Sequence, residues 1–562
     1  MALSFTVFTT QPLTASPPWL ATGRNGMVAT DSPEASRVGA GVLKAGGNAI
    51  DATVAVSFAL AVTRPQSTGL GGGGFMIARF ADGRVVVQDF RETAPAQATG
   101  DMFIRAKSSN PKMTTPSRYG HLAVAVPGLV AGRCQALAQY GTLPLARIIE
   151  PAIDLARHGF GIDAHYVESA AEALRAYERN PALKESCSYV YATHLGSGAL
   201  PKPRDRLTQP KLACLLEGIA SGGADFFYRG PVAQAIAAEM KKHGGIITAD
   251  DLAAYKVKER EAVRSTYGDF DIIGMPPPSS GAIAVIQTLN ILERVGFASI
   301  ARRDPGLATH YQIEAMKHAF ADRARWLADA DFADVPVALL TSQTYATQLA
   351  MTLRPNDQAK VQDYGVAQLP DDGGTSHVCV VDRWGNVVVT TETINTSFGS
   401  LAGVDEWGLI LNNEMDDFVS EPGKPNAYGL IQAPGNSIEP GKRPVSSMAP
   451  TIVLKKGKPF LMLGASGGPR IISSVLNVML SVLDFDMSLE DAMTRIRPHH
   501  QWKPNAVMFD AKPDQDLEAG LLKRGHVLSE HRKTGIVQAI MRIEGGWRGA
   551  SDPRKGGQPA GY

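Results

Sequence analysis

The 562-residue sequence predicts a layered α+β fold in which sheets pack between helical layers. Three observations carry that expectation. Helical and strand patterns alternate through the first third, a mainly helical block runs from about Leu143 to Lys258, and β-rich segments return after Asp371 together with two further helices. The chain changes character at Asp371–Thr375, yet both sides are rich in strand, so one intertwined core is expected rather than two separable units.

Taken in order, Ser32-Pro33-Glu34 reads as a helix start. That helix stops near Gly46-Gly47, and an Ala-rich apolar helix, buried on most sides, resumes as far as Thr63. FMIARFADGRVVVQDF (Phe75–Phe90) is a hairpin turning at Asp82-Gly83. LARIIEPAIDLARHG and VAQAIAAEMKKHGG are helical, and a second helical segment, Ala308–Phe332, follows the Pro-rich MPPPSSG loop. From Tyr345 to Thr375 the chain is polar, with Pro355, Pro370 and a DDGG cluster, which reads as a linker. ISSVLNVMLSVLDF and SLEDAMTRI are the two late helices, and no repeat recurs at a fixed period.

Composition bounds the function. Lys+Arg of 56 against Asp+Glu of 55 leaves a net charge of +1 with no long basic run, which argues against nucleic acid as a partner. No apolar run approaches the ~18–20 residues of a membrane span. The four cysteines are scattered without a Cys-x-x-Cys pair, which argues against a zinc site and a disulfide framework; single buried thiols are favoured over a Cys187–Cys214 bridge. The N-terminus has no Lys or Arg before Arg24 and carries several prolines, so it reads poorly as a signal peptide.

The stretch Asp371–Gly399, DDGGTSHVCVVDRWGNVVVTTETINTSFG, poses the functional question. Strands Thr375–Val381 and Val387–Thr393 flank a three-residue loop, Arg383-Trp384-Gly385, with glycine where left-handed geometry is wanted. That register places Thr375 opposite Thr393; a bulge would place Thr391, Glu392 or Ile394 there instead. A threonine hydroxyl is a weak nucleophile until a base lies beside it, and its own α-amine becomes such a base only if the chain is cut before it. The bland alternative is that Gly-Gly-Thr merely starts a strand.

TSHVCVVDRWGNVVVTTETINTSFG, LNNEMDDF, KRPVSSMAPTIV, GASGGPRII, RPHHQW and GASDPR with its closing AGY resemble the γ-glutamyltranspeptidase family of N-terminal-nucleophile hydrolases. In the first half, GGNAIDATVAVSFAL, TGLGGGGFM, DFRETAP, AVPGLVAG, IITADDL and MPPPSSG resemble it too, so the likeness covers about Gly26 to Tyr562. It implies a four-layer αββα sandwich, two stacked antiparallel sheets between helical layers. It also implies a precursor that cuts itself between Gly374 and Thr375. Beyond an N-terminal extension of residues 1–25, residues 26–374 would form the large fragment and 375–562 the small one.

By this resemblance Thr375 is the nucleophile, its freed amine the base, and Thr393 its hydrogen-bonding partner. Gly467 and Gly468 match the oxyanion donors, although the loop reads GASGGPR where relatives read GSPGGSR. Arg91, Ser446 and Ser447 match ligands of the donor's α-carboxylate, while Asn395, Glu414 and Asp417 match ligands of its α-ammonium. Alone, Arg91 would be a surface charge, the serines a turn and the acids a solvated loop. The implied partners are a small γ-glutamyl donor such as glutathione and an amino-acid or peptide acceptor, with no cofactor and no metal. Tyr428, within the long insert between Pro422 and Pro440, is expected on a lid over the donor.

A related acylase or amidohydrolase acting on another amide is the first alternative, and an unprocessed binding protein the second. Family resemblance implies a periplasmic or secreted protein, while the N-terminus leaves cytoplasmic residence open. TGLGGGGFM lacks the Gly-Lys-Ser/Thr of a phosphate loop and reads as a tight core turn. His499-His500 reads as a structural pair and Cys379 as a small core residue.

Overall fold

A computed structural model describes residues 16–110, 115–358, 374–421 and 423–562. Two seven-stranded antiparallel sheets form its centre. From edge to edge, the first runs Leu20–Gly23, Gly546–Ser551, Ile536–Ile543, Lys458–Ser466, Thr451–Lys455, Phe270–Gly274 and Val263–Tyr267. The second runs Ala560–Gly561, Met27–Ala29, Thr375–Val381, Val387–Thr393, Gly73–Arg79, Val85–Phe90 and Lys258–Glu259.

The central hairpin is buried throughout, and strand alternation sends its apolar side chains to both faces. Cys379, Val381, Val387 and Val389 pack toward the first sheet, in one core with Leu461 and Ile540. Val378, Val380 and Val388 point the other way, into the helical layer built on Ala49–Thr63. That helix has all fifteen residues buried, as its Ala- and Val-rich, mostly apolar composition favours. Helices Gly281–Arg294 and Arg470–Leu483 cover the outer face of the first sheet. The layers are therefore helix, sheet, sheet, helix, as expected.

Local signals account for several element ends. Ser32 caps Pro33–Lys44, and Asn48 with Asp51 forms a capping box at the start of Ala49–Thr63. Asp382 ties that second helix to the hairpin: its carboxylate accepts from Ala49 N–H at 3.0 Å and from the loop amides of Trp384 and Asn386. Gly385, at φ +87°, takes the left-handed position. Strands Gly73–Arg79 and Val85–Phe90 form the expected earlier hairpin.

Three expectations need correction. The linker expected from Tyr345 begins inside a helix, Gln343–Ala350; residues 359–373, including Pro370 and the DDGG aspartates, lie outside the described residues. Leu20–Gly23, expected in the N-terminal extension, is an edge strand paired with Gly546–Ser551, because its backbone satisfies that edge. All four cysteines are unpaired, but Cys214 is exposed rather than buried, on the outer side of helix Pro210–Tyr228. Among the described residues no single helix is long and apolar enough to cross a membrane.

Candidate active site

The hairpin register is the expected one: Thr375 pairs with Thr393 and Val381 with Val387, without a bulge. The two hydroxyls lie 3.0 Å apart. Thr375 Oγ1 donates to the Gly374 carbonyl oxygen at 2.7 Å, and Thr393 Oγ1 reaches the same oxygen at 2.6 Å. Asn395 N–H donates to Thr393 Oγ1 at 2.8 Å, which orients that hydroxyl. The carbonyl before Thr375 is thus polarised by one threonine and approached by the other, within an almost fully buried strand end.

The glycine run Gly71–Gly74 allows this packing. A Cβ at Gly72 would lie 2.0 Å from the Thr393 carbonyl oxygen, and one at Gly74 2.2 Å from that of Thr391. TGLGGGGFM is a close-approach turn, as its lack of phosphate-loop chemistry implied.

A small cavity opens from Thr375 and Thr393 and is lined by Arg91, Asn395, Glu414, Asp417, Tyr428, Ser446, Ser447 and Gly468. Its polar end is densely charged. Arg91, fully buried, forms ion pairs with Asp417 at 2.6 Å and Glu414 at 2.8 Å, and Glu92 lies at 3.6 Å. Burial raises the Glu414 and Asp417 carboxyls above the ordinary range against the lowering pull of Arg91, and pushes Glu92 up to about 7. Burial alone would lower Arg91, but Glu414, Glu92 and Asp417 outweigh it and raise it. Cation and anions meet side by side, an arrangement suited to a ligand carrying carboxylate and ammonium on one carbon.

The serine pair is held from below by the MPPPSSG loop. Ser446 N–H donates to Pro278 O at 2.9 Å, and Ser280 returns both its N–H and its hydroxyl to Ser446 O. Gly467 and Gly468 have φ of +125° and +56°, both in the region that favours glycine, and no hydrogen bond among the described residues uses either amide. Gly468 lines the cavity, with the Tyr428 ring packed on its Cα face: a Cβ there would meet Tyr428 Cδ1 at 2.5 Å. Tyr428 Oη donates to Asn395 O at 2.7 Å. Its segment is fixed to the acidic loop by Asn426 on Asp417 Oδ1 (3.1 Å) and Ala427 N–H on Asp416 Oδ2 (2.6 Å). Pro422, where the expected lid begins, lies outside the described residues.

With this geometry in view, the likeness to known proteins is decisive. The family profile described as gamma-glutamyltranspeptidase matches residues 35–562. A glutathione hydrolase proenzyme of Escherichia coli (strain K12) is 42% identical over 546 residues, 94% of this chain and 90% of the relative. The chain belongs to the γ-glutamyltranspeptidase family. Acylases are also close: an acylase ACY 1 proenzyme of Pseudomonas sp. (strain SE83) is 39% identical over 547 residues, covering 96% of this chain and 94% of that protein. Among solved structures, a cephalosporin acylase from Bacillus halodurans matches with a TM-score of 0.83 at 28% identity, over 100% of this chain and 99% of that one. A γ-glutamyltranspeptidase of Helicobacter pylori gives 0.54 at 40% identity, over 62% and 95%.

Within this γ-glutamyltranspeptidase fold every expected site residue but Gly467 lines the one cavity, and Gly467 adjoins it. Two residues escaped the sequence reading. Arg323 lines the same cavity from helix Pro305–Trp326. Lys555 Nζ donates to Thr375 O at 3.0 Å and pairs with Asp31 at 2.7 Å, anchoring the strand from the chain's far end; with Arg64 it holds Asp31 below the ordinary carboxylate range although burial acts to raise it. The GASDPR block ends one residue before Lys555, which was the available signal. His499 bonds Ser473 and Gln501 while His500 bonds Asn505 and Trp502, so the pair does not converge on one point.

Proposed function

We propose that this chain is a self-processing γ-glutamyltransferase and glutathione hydrolase. The observation that carries the reading is the joining, in one cavity, of the Thr375–Thr393 hydroxyl pair to a carboxylate-and-ammonium subsite. Thr375 Oγ attacks the Gly374 carbonyl carbon while Thr393 holds its oxygen; the peptide nitrogen leaves with a proton, an ester forms, and water hydrolyses it. Residues 26–374 and 375–562 then stay together as two fragments of one core.

The freed Thr375 amine takes the proton of its own hydroxyl as Oγ attacks the γ-carbonyl carbon of the donor. The Gly467 and Gly468 N–H groups receive the developing oxyanion, a contribution of about 2.7–4 kcal/mol per donor in comparable sites. The leaving amine departs protonated. Water, or the amine of an amino acid or peptide, then attacks the γ-glutamyl ester and restores the hydroxyl. Arg91, Ser446 and Ser447 receive the α-carboxylate; Asn395, Glu414 and Asp417 receive the α-ammonium. Tyr428 covers the ester from the Gly468 side and limits water, favouring transfer.

Acylase relatives supply a second reading, in which the acyl group taken up by Thr375 carries no α-amine. The buried Glu414 and Asp417 speak against it, since anions held in a cavity favour a ligand ammonium. Turnover of γ-glutamyl-p-nitroanilide against glutaryl-p-nitroanilide separates the two. A preference for the γ-glutamyl compound of at least tenfold is expected, and a glutaryl preference would move the assignment to the acylases.

A further inference from the structure

Helix Pro305–Trp326 carries His310 and Glu314 four residues apart, on one face. Opposite them stands His526, just past helix Gln515–Lys523. One ligand-type atom from each of the three lies within 4.8 Å of the other two, and all three residues are buried. His310 Nδ1 and His526 Nε2 are 2.7 Å apart. None of the three lines the Thr375 cavity. The cluster joins the two halves of the chain, since His310 and Glu314 precede the Gly374–Thr375 bond and His526 follows it.

Hydrogen-bond chemistry fixes the ring protons. A carbonyl only accepts, so the 2.7 Å contact of His310 Nε2 with Arg354 O puts the ring's hydrogen on Nε2 and leaves a lone pair on Nδ1. A histidine whose far nitrogen donates to a backbone carbonyl is oriented as metal-binding histidines are. His526 then holds the contact by donating from Nε2, and no hydrogen bond among the described residues uses its Nδ1. Moving that proton from Nε2 to Nδ1 keeps the ring neutral and frees a second lone pair beside the first. Burial lowers both rings, His526 to about 3, so neither carries a second proton at neutral pH. His500, the nearest further imidazole, is committed to Asn505 and to the Trp502 N–H. Lys317, on the same helix, donates to Glu314 Oε1 at 3.1 Å and to Gln358 Oε1 at 3.2 Å. Its ammonium competes for the carboxylate, and Arg524 adds positive charge nearby.

We propose that His310, Glu314 and His526 bind one divalent ion of the zinc class, which staples together the segments on the two sides of the Thr375 cut. Two imidazoles and a carboxylate with no thiolate suit zinc, in the three-ligand pattern that leaves a fourth position to water. Zinc–nitrogen bonds of about 2.0–2.1 Å in a tetrahedron set the two ring nitrogens about 3.3 Å apart, so the 2.7 Å pair opens by about 0.6 Å. The reaction at Thr375 needs no metal; the ion acts on assembly. Only its bridging of two separate fragments rests on the proposed cleavage.

The test uses untagged full-length protein, checked on a denaturing gel for the Thr375 cut, stripped with EDTA and dialysed. Zinc chloride alone is then added, and bound zinc and the thermal midpoint are measured. Wild type should hold one zinc per chain at micromolar affinity or tighter, and zinc at about 100-fold its Kd should raise the midpoint by about 2 °C or more. His526→Gln keeps an amide donor for His310 Nδ1 but lacks the imidazole lone pair. It should weaken zinc by about tenfold or more, abolish the thermal shift and leave γ-glutamyl-p-nitroanilide turnover within about twofold. Lys317→Met removes the competing ammonium and should tighten zinc by about threefold or more. A wild type without stoichiometric zinc overturns the proposal, as does a His526→Gln protein that binds zinc equally well or a Lys317→Met protein that binds it no tighter. Should His526→Gln fail to fold, anomalous diffraction from zinc-soaked wild-type crystals decides: a peak between the three side chains supports the site, and zinc held only at other residues overturns it. A wild type that stays whole strikes the proposed function instead, while zinc binding to the whole chain still decides the site.

Discussion

Thr393→Val replaces a hydroxyl by a methyl of nearly the same shape, so packing at the strand end stays and three polar contacts go. Those are the 3.0 Å contact with Thr375 Oγ1, the 2.6 Å contact with Gly374 O and the 2.8 Å bond from Asn395 N–H. Asn395 is almost fully buried, so its amide is left unsatisfied at about 1–3 kcal/mol, and each lost neutral bond adds about 0.5–1.5 kcal/mol. Part of this appears as a weakened hairpin end and part as a slower reaction. A combined loss of about 2–4 kcal/mol in the reacting arrangement corresponds to about 30- to 1000-fold in rate. The assay is a mass-spectrometric time course of the fragment beginning at Thr375, followed by γ-glutamyl-p-nitroanilide turnover by whatever material has been cut. Thr393→Ser keeps the hydroxyl and should remain within about tenfold of wild type. A valine variant that processes and turns over within threefold of wild type would show that the Thr393 hydroxyl does not assist Thr375.

Three further outcomes follow from the same geometry. Gly72→Ala would put a methyl 2.0 Å from Thr393 O, backbone against backbone, so it should abolish soluble, processed protein; normal cleavage would refute the close-approach reading. Glu92 is raised from an ordinary 4.5 to about 7 by burial, so the folded state holds its proton more tightly than the unfolded chain does. Its contribution to stability is present in full below pH 4.5, falls as pH rises to about 7 and is flat above. Thermal melts of wild type and Glu92→Gln should therefore diverge in favour of the variant between pH 5 and pH 8, and parallel curves would contradict this. Tyr428→Ala removes the ring over Gly468 and the bond to Asn395 O, and should raise hydrolysis relative to transfer several-fold with a dipeptide acceptor; an unchanged ratio refutes the covering role.

The parts legible in the sequence are those written locally. The nucleophile hairpin was fixed by a three-residue loop with glycine at its end, and the observed pairing of Thr375 with Thr393 follows from counting back from it. Caps at Ser32 and Asn48 are equally local. The ligand residues were visible through family motifs, but their mutual contacts were not. The motifs point Arg91 at a carboxylate and Glu414 and Asp417 at an ammonium, and the fold brings the arginine into direct ion pairs with both acids. Arg323 was hidden because it lies within a long helix whose pattern reads as packing; only the tertiary approach of the Ser446–Ser447 turn gives it a role. Lys555 and Asp31 meet from opposite ends of the chain, and no spacing rule reports such a contact. Cys214 is exposed because a thiol's usual burial says nothing about which face of a helix it occupies.

The central claim is that Thr375 is both the site of cleavage and the nucleophile. The most direct measurement is a denaturing gel with intact-mass analysis of freshly purified wild type and Thr375→Ala, each then assayed with γ-glutamyl-p-nitroanilide. The account predicts that wild type separates into two fragments, the smaller beginning at Thr375, and releases nitroaniline, while the alanine variant stays whole and silent. An alanine variant that still cuts at the same bond, or a wild type that stays whole yet turns the donor over, would contradict it.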